Sequence, residues 1–190
     1  MPRPAPCSDL FHIQSTMKIK NFKQEILEMA EQDQSLRNRY FQTFNEEDFS
    51  NIKKADKKNR KRFKEIFEKV GYISSKQEKD LHLAAFLIVQ HMPKEEYSFM
   101  KKYLSFMKDD LEHINPLNYA QLVDRVRIYE GKKQMYGTQF ELVNKEENIY
   151  KLKEIYDFKN IDKRREEIGL KPLSTYIKEL EGERGIKVMV

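Results

Sequence analysis

Cysteine, glycine, proline and long apolar runs are all scarce in this chain of 190 residues. The single cysteine, Cys7, excludes an internal disulfide bond and a zinc site built from cysteines. No apolar run approaches the ~18 residues that a bilayer-spanning helix needs, so we expect no membrane partner. Only six glycines and six prolines accompany 35% charged residues, a balance that favours helices with solvated outer faces.

The length and the aromatic content predict one folded domain. A chain of this length is most simply a single domain, and 12% aromatic residues supply enough large apolar surface to exclude a disordered chain. Residues 1–16 have neither the apolar region of a signal peptide nor a helical period. We interpret them as a disordered leader or a remnant of cloning, followed by one domain over residues 17–190 with a cytoplasmic location.

Apolar residues recur at helical spacing through most of the chain and predict a mainly α fold. The first helix is expected from about Lys18 to Tyr40, and the stretch Leu81–Val89 is apolar nearly all round, as in a buried central helix. Near the C-terminal third, residues 134–143 and 149–155 are rich in β-formers and predict one small β-hairpin. The predicted architecture is therefore a single-domain helical bundle around a central helix, with one hairpin.

Polar residues interrupt the apolar faces of the first two helices. Asp33 and Arg37 continue the first face, and Asp56 and Asn59 break the second. An unpaired buried charge is costly, so these side chains must find partners across the fold. We expect them to support a polar site.

His91 is the first candidate catalytic residue. It follows Ala84 and Ile88 at helical spacing, at the C-terminal end of the predicted central helix. As a general acid or base it would need a carboxylate to orient it, and Asp124 or Asp56 is the expected partner. The alternative is a hydrogen-bonded core histidine without a catalytic role.

The second half of the chain contributes further polar candidates. Asp124 is the second candidate catalytic residue, on the predicted fifth helix. Gly137 permits a tight backbone path in the hairpin region. The candidate substrate-binding residues are Arg125, Gln134, Tyr136, Thr138, Gln139, Arg164 and Arg165. Paired arginines could hold a carboxylate or phosphate, although surface ion pairs with Asp162, Glu166 or Glu167 would explain them equally well.

Lysine and arginine residues crowd between Lys53 and Lys64 and supply much of the net charge of +5. Such a run could bind nucleic acid. We prefer the interpretation of a solvated helix face, because Glu65 and Glu68 follow at once and no aromatic residues interleave with the run. Nucleic acid is therefore an unlikely partner on this reading of the sequence.

Taken in their order along the chain, these residues resemble the sequence pattern of a bacterial family called domain of unknown function 6624. The resemblance covers nearly all of residues 17–180. Its pieces are Asp33-Gln34 with Arg37, Asp56 with Asn59, Ala84-Ala85 with Gln90-His91, Asp124-Arg125-Val126, Gly131, Gln134 to Gln139, Asp162 with Arg164-Arg165, and Gly169-Leu170. The chain departs from the family at Tyr72-Ile73, where a Trp-Pro is usual. The family implies no activity, but its pieces include the residues that interrupt the apolar faces.

Three functions from different classes remain open. The first is an enzyme that acts on a small polar or anionic molecule through His91. The second is a binding or interaction module, regulatory or immunity-type, whose polar cluster is structural. The third is nucleic-acid binding through residues 53–64.

No cofactor or metal is expected, since no pair of histidines has ligand spacing, although Asp33, Asp56, Asp124 and His91 could converge on a hard cation. The oligomeric state is left open.

Overall fold

We describe the chain from a computed structural model that covers the backbone from Cys7 to Val190 and the side chains from Ile19 onward. The chain divides after Pro93 into two compact units. The prediction of a single domain over residues 17–190 stays a prediction. The leader predicted over residues 1–16 lies partly outside the described residues, and the side chains of the rest of it are not described.

Three helices make up the described part of the first unit: α1 is Cys7–Thr43, α2 is Glu46–Val70 and α3 is Lys79–Gln90. Helix α1 begins at Cys7, earlier than the predicted start near Lys18. The short connection between α1 and α2 makes them an antiparallel pair. The hydrogen bonds between the two helices are those of an antiparallel pair: Arg39 binds Asp48 near the connection, and Arg62 binds Glu25 far from it.

Local signals account for the two ends of α2. At its start, the Asn45 side chain accepts a hydrogen bond from the backbone N–H of Glu47 at 2.7 Å, as an N-cap residue does. At its end, Gly71 takes a positive φ of 74° and donates its N–H to the carbonyl of Phe67. The long basic stretch of the sequence therefore lies within one capped helix.

Helix α3 is the central helix of the first unit. Leu81, Ala85 and Val89 are fully buried, and Phe86 on another side of the helix is 1% exposed. Burial on several sides explains why this segment lacks the polar face of an ordinary surface helix. The prediction of a buried helix here is confirmed.

The second unit combines four helices with a small sheet in the part of the chain from residue 94 onward. Its helices are α4 (Tyr97–Asp109), α5 (Pro116–Tyr129), α6 (Ile161–Glu167) and α7 (Leu173–Arg184). Asn115 caps α5 by accepting the N–H of Leu117, and Pro116 occupies the first turn, where its missing N–H costs nothing.

The sheet of the second unit contains the predicted hairpin and one strand more. Strands β1 (Phe140–Asn144) and β2 (Ile149–Leu152) pair antiparallel, and β3 (Lys187–Met189) adds to β2 in parallel. The first strand is shorter than predicted, because residues 135–139 leave the extended path and Gln134 keeps only an isolated bridge to Ile155. The third strand was not predicted.

The chain is mainly α, as predicted: the described residues contain seven α-helices and one small sheet in the C-terminal part. No helix among them is long and apolar enough to cross a bilayer. The apolar core of the sheet region is formed by Leu152, Ile161, Leu173 and Ile177, with Phe140 and Ile155 packed against it. This packing holds β2 against α6 and α7 and so fixes the loop that precedes β1.

Candidate functional site

His91 lies directly after the last residue of α3 and is hydrogen-bonded to a carboxylate from α1. Its Nδ1 is 2.9 Å from Oδ2 of Asp33, whose side chain is only 4% exposed. The Gln34 side chain donates to the same oxygen at 2.7 Å. The carboxylate that orients His91 is therefore Asp33, and the expected pairing of His91 with Asp124 or Asp56 is wrong.

Arg37 joins Asp33 to a second carboxylate. Its Nε donates to Oδ1 of Asp33 at 2.9 Å, and one terminal nitrogen donates to both oxygens of Asp56 at 2.7 and 2.9 Å. Asp33 and Arg37 are one helical turn apart on α1, and Asp56 faces them from α2. These three residues and His91 form one network, which we call the His91 cluster.

The two carboxylates of the His91 cluster differ in acidity. Burial opposes the ionisation of Asp33, but the hydrogen bonds and positive charge of His91 and Arg37 outweigh it and lower its pKa to about 2. Burial raises the pKa of Asp56, although Arg37 acts to lower it. Asp33 is therefore the stronger acid of the pair.

The ionisation of Asp33 determines which ring nitrogen of His91 carries the proton. An ionised carboxylate has no proton to donate, so Nδ1 of His91 must be the donor in their hydrogen bond. In the neutral ring the lone pair then resides on Nε2, which is the arrangement of a general base held by a carboxylate. When Nε2 takes up a proton, the carboxylate of Asp33 stabilises the added positive charge, whereas the nearby guanidinium of Arg37 opposes it.

The His91 cluster opens onto a small pocket. The pocket is lined by Asp33, Asp56, Asn59, Arg60, Ile88, His91 and Met92. The space that can hold the centre of a water-sized sphere is about 10 Å³, which corresponds to roughly one water molecule. Asn59, on the pocket wall, donates its amide to the carbonyl of Met29 at 3.2 Å. The pocket can therefore admit a water molecule beside the imidazole, and a larger ligand would have to bind at its mouth.

The low pKa of Asp33 predicts a loss of stability in acid. A carboxyl whose pKa is depressed in the folded state stabilises the fold above its unfolded pKa, near 3.8, and loses that contribution as pH falls toward 2. We expect about 2 kcal/mol to be lost between those values. Urea unfolding followed by circular dichroism at several pH values measures this, and Asp33→Asn should abolish the acid-dependent part.

Asp48→Asn is the matched control for this titration. Asp48 is also buried and accepts from Arg39 and Thr43, without contact to His91. This variant should keep the difference between pH 4 and pH 2. Asp56, with its raised pKa, has the opposite dependence, so an unchanged profile in Asp33→Asn would contradict the assignment of the acid-labile group to Asp33.

Asp124 lies in the second unit, where it organises the loop before β1. It is fully buried on α5 and accepts the backbone N–H groups of Met135, Tyr136 and Thr138. The Thr138 hydroxyl donates to it as well, at 2.9 Å. Burial raises the pKa of Asp124, and these hydrogen bonds act against that rise. Asp124 thus holds a loop of its own unit, in a sealed position.

The glutamines at the two ends of this loop complete the arrangement. The Gln134 side chain is fully buried, donates to the carbonyls of Gln139 and Lys153, and accepts the N–H of Gln139. The Gln139 side chain donates to the carbonyl of Gln121 on α5. Both side chains therefore satisfy backbone groups that the irregular loop leaves unpaired.

The two neighbouring arginines of α6 bind backbone carbonyls. Arg165 is 1% exposed and donates to the carbonyls of Tyr136 and Lys171, with its guanidinium 4.9 Å from the ring centroid of Tyr176. Arg164 donates to the carbonyls of Met135, Asp157 and Tyr156. Arg164 also lies 3.7 Å from a carboxylate oxygen of Asp157, which is not one of the ion-pair partners considered from the sequence. The two arginines thus hold the carbonyls of Met135 and Tyr136, whose N–H groups bind Asp124.

Gly137 is required for the path of this loop. Its φ is +74°, and an added Cβ would lie 2.8 Å from Cδ1 of Leu173 and 3.3 Å from Cδ1 of Ile155. We expect Gly137→Ala to lower the free energy of unfolding by about 3 kcal/mol, from backbone strain together with the clash. Gly131 has almost the same φ but nothing within 4 Å, so Gly131→Ala should cost only about 1 kcal/mol. Equal losses in the two variants, measured by urea denaturation, would contradict this account.

The predicted site residues thus form two groups. Asp33, Arg37, Asp56, Asn59 and His91 come together in the first unit, while Asp124, Gln134, Tyr136, Thr138, Gln139, Arg164 and Arg165 come together in the second. Arg125 lies half-buried on α5 beside Asp124. Two further residues contribute to the first group, although the sequence pattern did not mark them as site residues. Gln34 holds Asp33, and Arg60 lines the pocket although it was counted only in the basic run.

The four residues that could have converged on a hard cation lie in two different units, with Asp33, Asp56 and His91 in the first and Asp124 in the second. Arg37 lies between Asp33 and Asp56, so a guanidinium occupies the position where those carboxylates could have shared a cation. Across residues 19–190, no three His, Cys, Asp or Glu side chains are grouped to hold a metal ion.

The similarity of this chain to known proteins identifies its family and no activity. No curated protein and no solved structure matches the chain. The sequence profile of one family of unknown function matches residues 20–189, a range that includes the His91 cluster and the loop held by Asp124. The resemblance noted from the sequence landmarks is thereby confirmed, and the chain belongs to the family of unknown function DUF6624.

Proposed function

We propose that this protein is an enzyme that uses His91 as a general base to hydrolyse a small anionic molecule. The observation that carries the proposal is the hydrogen bond between His91 Nδ1 and the buried Asp33 at the wall of a pocket. A base needs an orienting partner, a defined tautomer and access to its proton donor. Asp33 supplies the first two, and the water-sized pocket supplies the third.

Hydrolysis is favoured over other acid–base reactions by the size of the pocket. Space for about one water molecule beside the imidazole suits activation of a water, while the substrate binds at the mouth. In the reaction, Nε2 of His91 removes a proton from that water as its oxygen attacks the substrate. Asp33 is a positioning residue, since it acts through His91, and Arg37 keeps Asp33 ionised.

The experiment is a panel of chromogenic carboxylic esters, phosphate esters and glycosides, tested with the wild type, Asp33→Asn and Asp48→Asn. We expect turnover in one class, a loss of roughly a hundredfold in kcat for Asp33→Asn and a shifted pH–rate profile. Asp48→Asn should retain activity, because Asp48 pairs with Arg39 and does not touch His91. Turnover that Asp33→Asn leaves unchanged, or no turnover in any class, would count against the proposal.

A second candidate is a non-catalytic interaction module, favoured by the sealed loop around Asp124. Its polar atoms bind one another and the backbone, which is the behaviour of a structural network. This network also holds the backbone of Tyr156, whose carbonyl binds Arg164 and whose side chain is 54% exposed for recognition of a partner. Loss of a binding partner from variants of the exposed Tyr156, with the melting temperature unchanged, would support this function over the first.

A further inference from the structure

The connection between α1 and α2 carries a cluster of four aromatic rings. The ring centroid of Tyr40 lies 5.8 Å from that of Phe41, 5.6 Å from that of Phe44 and 5.4 Å from that of Phe49. These are separations at which aromatic pairs attract each other. Phe41 is nevertheless 53% exposed and Phe49 37% exposed. We call these four residues the aromatic tip, and it leaves apolar surface in water at a turn, where small polar residues are usual.

The backbone of the connection holds the aromatic tip in a fixed shape. Phe44 has a φ of +46°, a left-handed conformation that is costly for a residue with a bulky side chain. Its N–H donates to the carbonyl of Tyr40, and the Thr43 hydroxyl donates to the Asp48 carboxylate at 3.0 Å. In this conformation the Phe44 ring contacts both Tyr40 and Phe41. The tip is therefore preformed, and a preformed surface loses little conformational freedom when it binds a partner.

Two opposite charges flank Phe49 on α2. Glu46 precedes it by three residues and Lys53 follows it by four, so at 100° per residue the three side chains fall within about 60° of one another. Both charged side chains are exposed. Their spacing of seven residues exceeds the i, i+4 spacing at which side chains of one helix pair. Along the helix, this surface therefore presents an acid, an aromatic ring and a base.

Neither of these two charges is neutralised by another charged side chain in the part of the chain whose side chains are described. Glu46 takes part in no hydrogen bond or ion pair there through its side chain. Lys53 places its Nζ 4.2 Å from the ring centroid of Phe49, in a cation–π contact. An ammonium group carries three donors, so Lys53 can keep this contact and still bind a carboxylate. Both charges are therefore available to a partner.

We propose that the aromatic tip binds the aromatic tip of a second copy of this chain about a two-fold axis. The inference goes beyond the proposed hydrolysis and does not depend on it. When the two α2 helices lie antiparallel with the axis beside Phe49, residue 46 of each helix lies opposite residue 53 of the other, because both positions are equally far from a point between residues 49 and 50. Glu46 then pairs with Lys53 of the partner subunit, and the exposed rings of Phe41 and Phe49 are covered.

The order of the charges favours a second copy over other occupants. An acid and a base on the two sides of one ring make the surface complementary to itself, as an isologous contact requires. An anionic membrane would be repelled by Glu46 and by the exposed Glu47 of the same turn. A partner of one charge would match only half of the surface. Because the exposed rings are few and each copy carries a net charge of +5, we expect a weak dimer, with a Kd of roughly 10–100 µM.

Sedimentation equilibrium of the full chain tests this contact between about 5 and 500 µM in about 0.15 M salt, where charges are screened over about 8 Å. Glu46→Lys brings like charges together across the axis, and we expect it to raise Kd roughly tenfold or more. Lys53→Glu should do the same. The double variant, Glu46→Lys with Lys53→Glu, reverses the order of the charges and restores both pairs. Its Kd should return to within about threefold of the wild type.

Glu47→Lys and Lys54→Glu, made separately, are the matched controls. They change the net charge of the same helix by the same amounts, but both side chains point about 140–160° away from Phe49 around the helix. We expect Kd within about twofold of the wild type in each. Phe41→Ser alters no charge and should raise Kd roughly tenfold or more, with the circular dichroism spectrum unchanged.

Several outcomes would overturn the contact. A wild-type chain that stays monomeric up to about 500 µM does not form it. A dimer that Glu46→Lys and Glu47→Lys weaken equally, or that the double variant does not restore, uses another surface. Binding of phosphatidylserine vesicles that requires Phe41, in a chain that does not self-associate, would assign the aromatic tip to a membrane surface. Restoration by the double variant, beside unchanged controls, would support the proposal.

Discussion

Replacing His91 with glutamine is expected to lower kcat on a responsive substrate by roughly a hundred- to ten-thousand-fold, because the variant has no base of suitable strength. The amide of glutamine can still donate to Oδ2 of Asp33, as Nδ1 of the imidazole does at 2.9 Å. The partner of Asp33 is therefore retained while the proton acceptor is lost. Steady-state kinetics of the purified variant measure the change, with the melting temperature recorded beside it.

His113→Gln is the matched control for this substitution. His113 also lies near a carboxylate, with Nδ1 3.4 Å from Asp110, but it belongs to the second unit. It should leave kcat within about twofold of the wild type. A His91→Gln variant that turns over substrate at the wild-type rate would remove His91 from the reaction. A variant that loses both activity and several kcal/mol of stability would make the His91 cluster a structural network.

Asp124→Ala is expected to lower the free energy of unfolding of the second unit by about 4 kcal/mol or more. Three backbone N–H groups and the Thr138 hydroxyl lose their acceptor together, in a position closed to water. Each unsatisfied buried donor costs about 1–3 kcal/mol. Asp124→Asn should cost less, because one carbonyl oxygen remains to accept. Hydrogen exchange of the amides of residues 135–138 reports the effect directly.

The control for Asp124 is Asp109→Ala, at an exposed position at the end of α4. It should change stability by less than about 0.5 kcal/mol. The comparison also separates the two roles considered for Asp124. A catalytic Asp124 predicts a folded variant with little activity, whereas a structural Asp124 predicts fast exchange of the loop amides. Slow exchange in Asp124→Ala, with activity lost, would favour the catalytic role expected from the sequence.

The grouping of charges in the first unit could be predicted from the sequence in outline. Asp33, Arg37 and Asp56 stand where an apolar face should continue, and burial forces such groups to pair. The identity of the pairs could not be predicted, because it depends on how far each helix is rotated about its axis. Asp33 and His91 meet across 58 positions of the chain, and no spacing rule applies at that separation.

The loop before β1 shows a different limit. Alternation and β-forming residues predicted a strand from Gln134, but Asp124 turns the backbone N–H groups of Met135 and Tyr136 toward itself. The buried carboxylate of Asp124 thus outweighs the preference of this segment for a β-strand. Arg165 was expected to hold an anion, yet its donors suit backbone carbonyls as well, and the sequence does not distinguish these acceptors. Strand β3, at three residues, is too short for any period to predict.

The parallel pairing of β3 with β2 bears on the order in which the chain can acquire its structure. Tyr150 pairs with Val188, so the sheet is complete only after residues 187–189 have left the ribosome. Helices α1 and α2, joined by a short connection, can form their contacts while later residues are still being made. The first unit can therefore be folded during synthesis, whereas the second keeps an open edge on β2 until the last strand arrives.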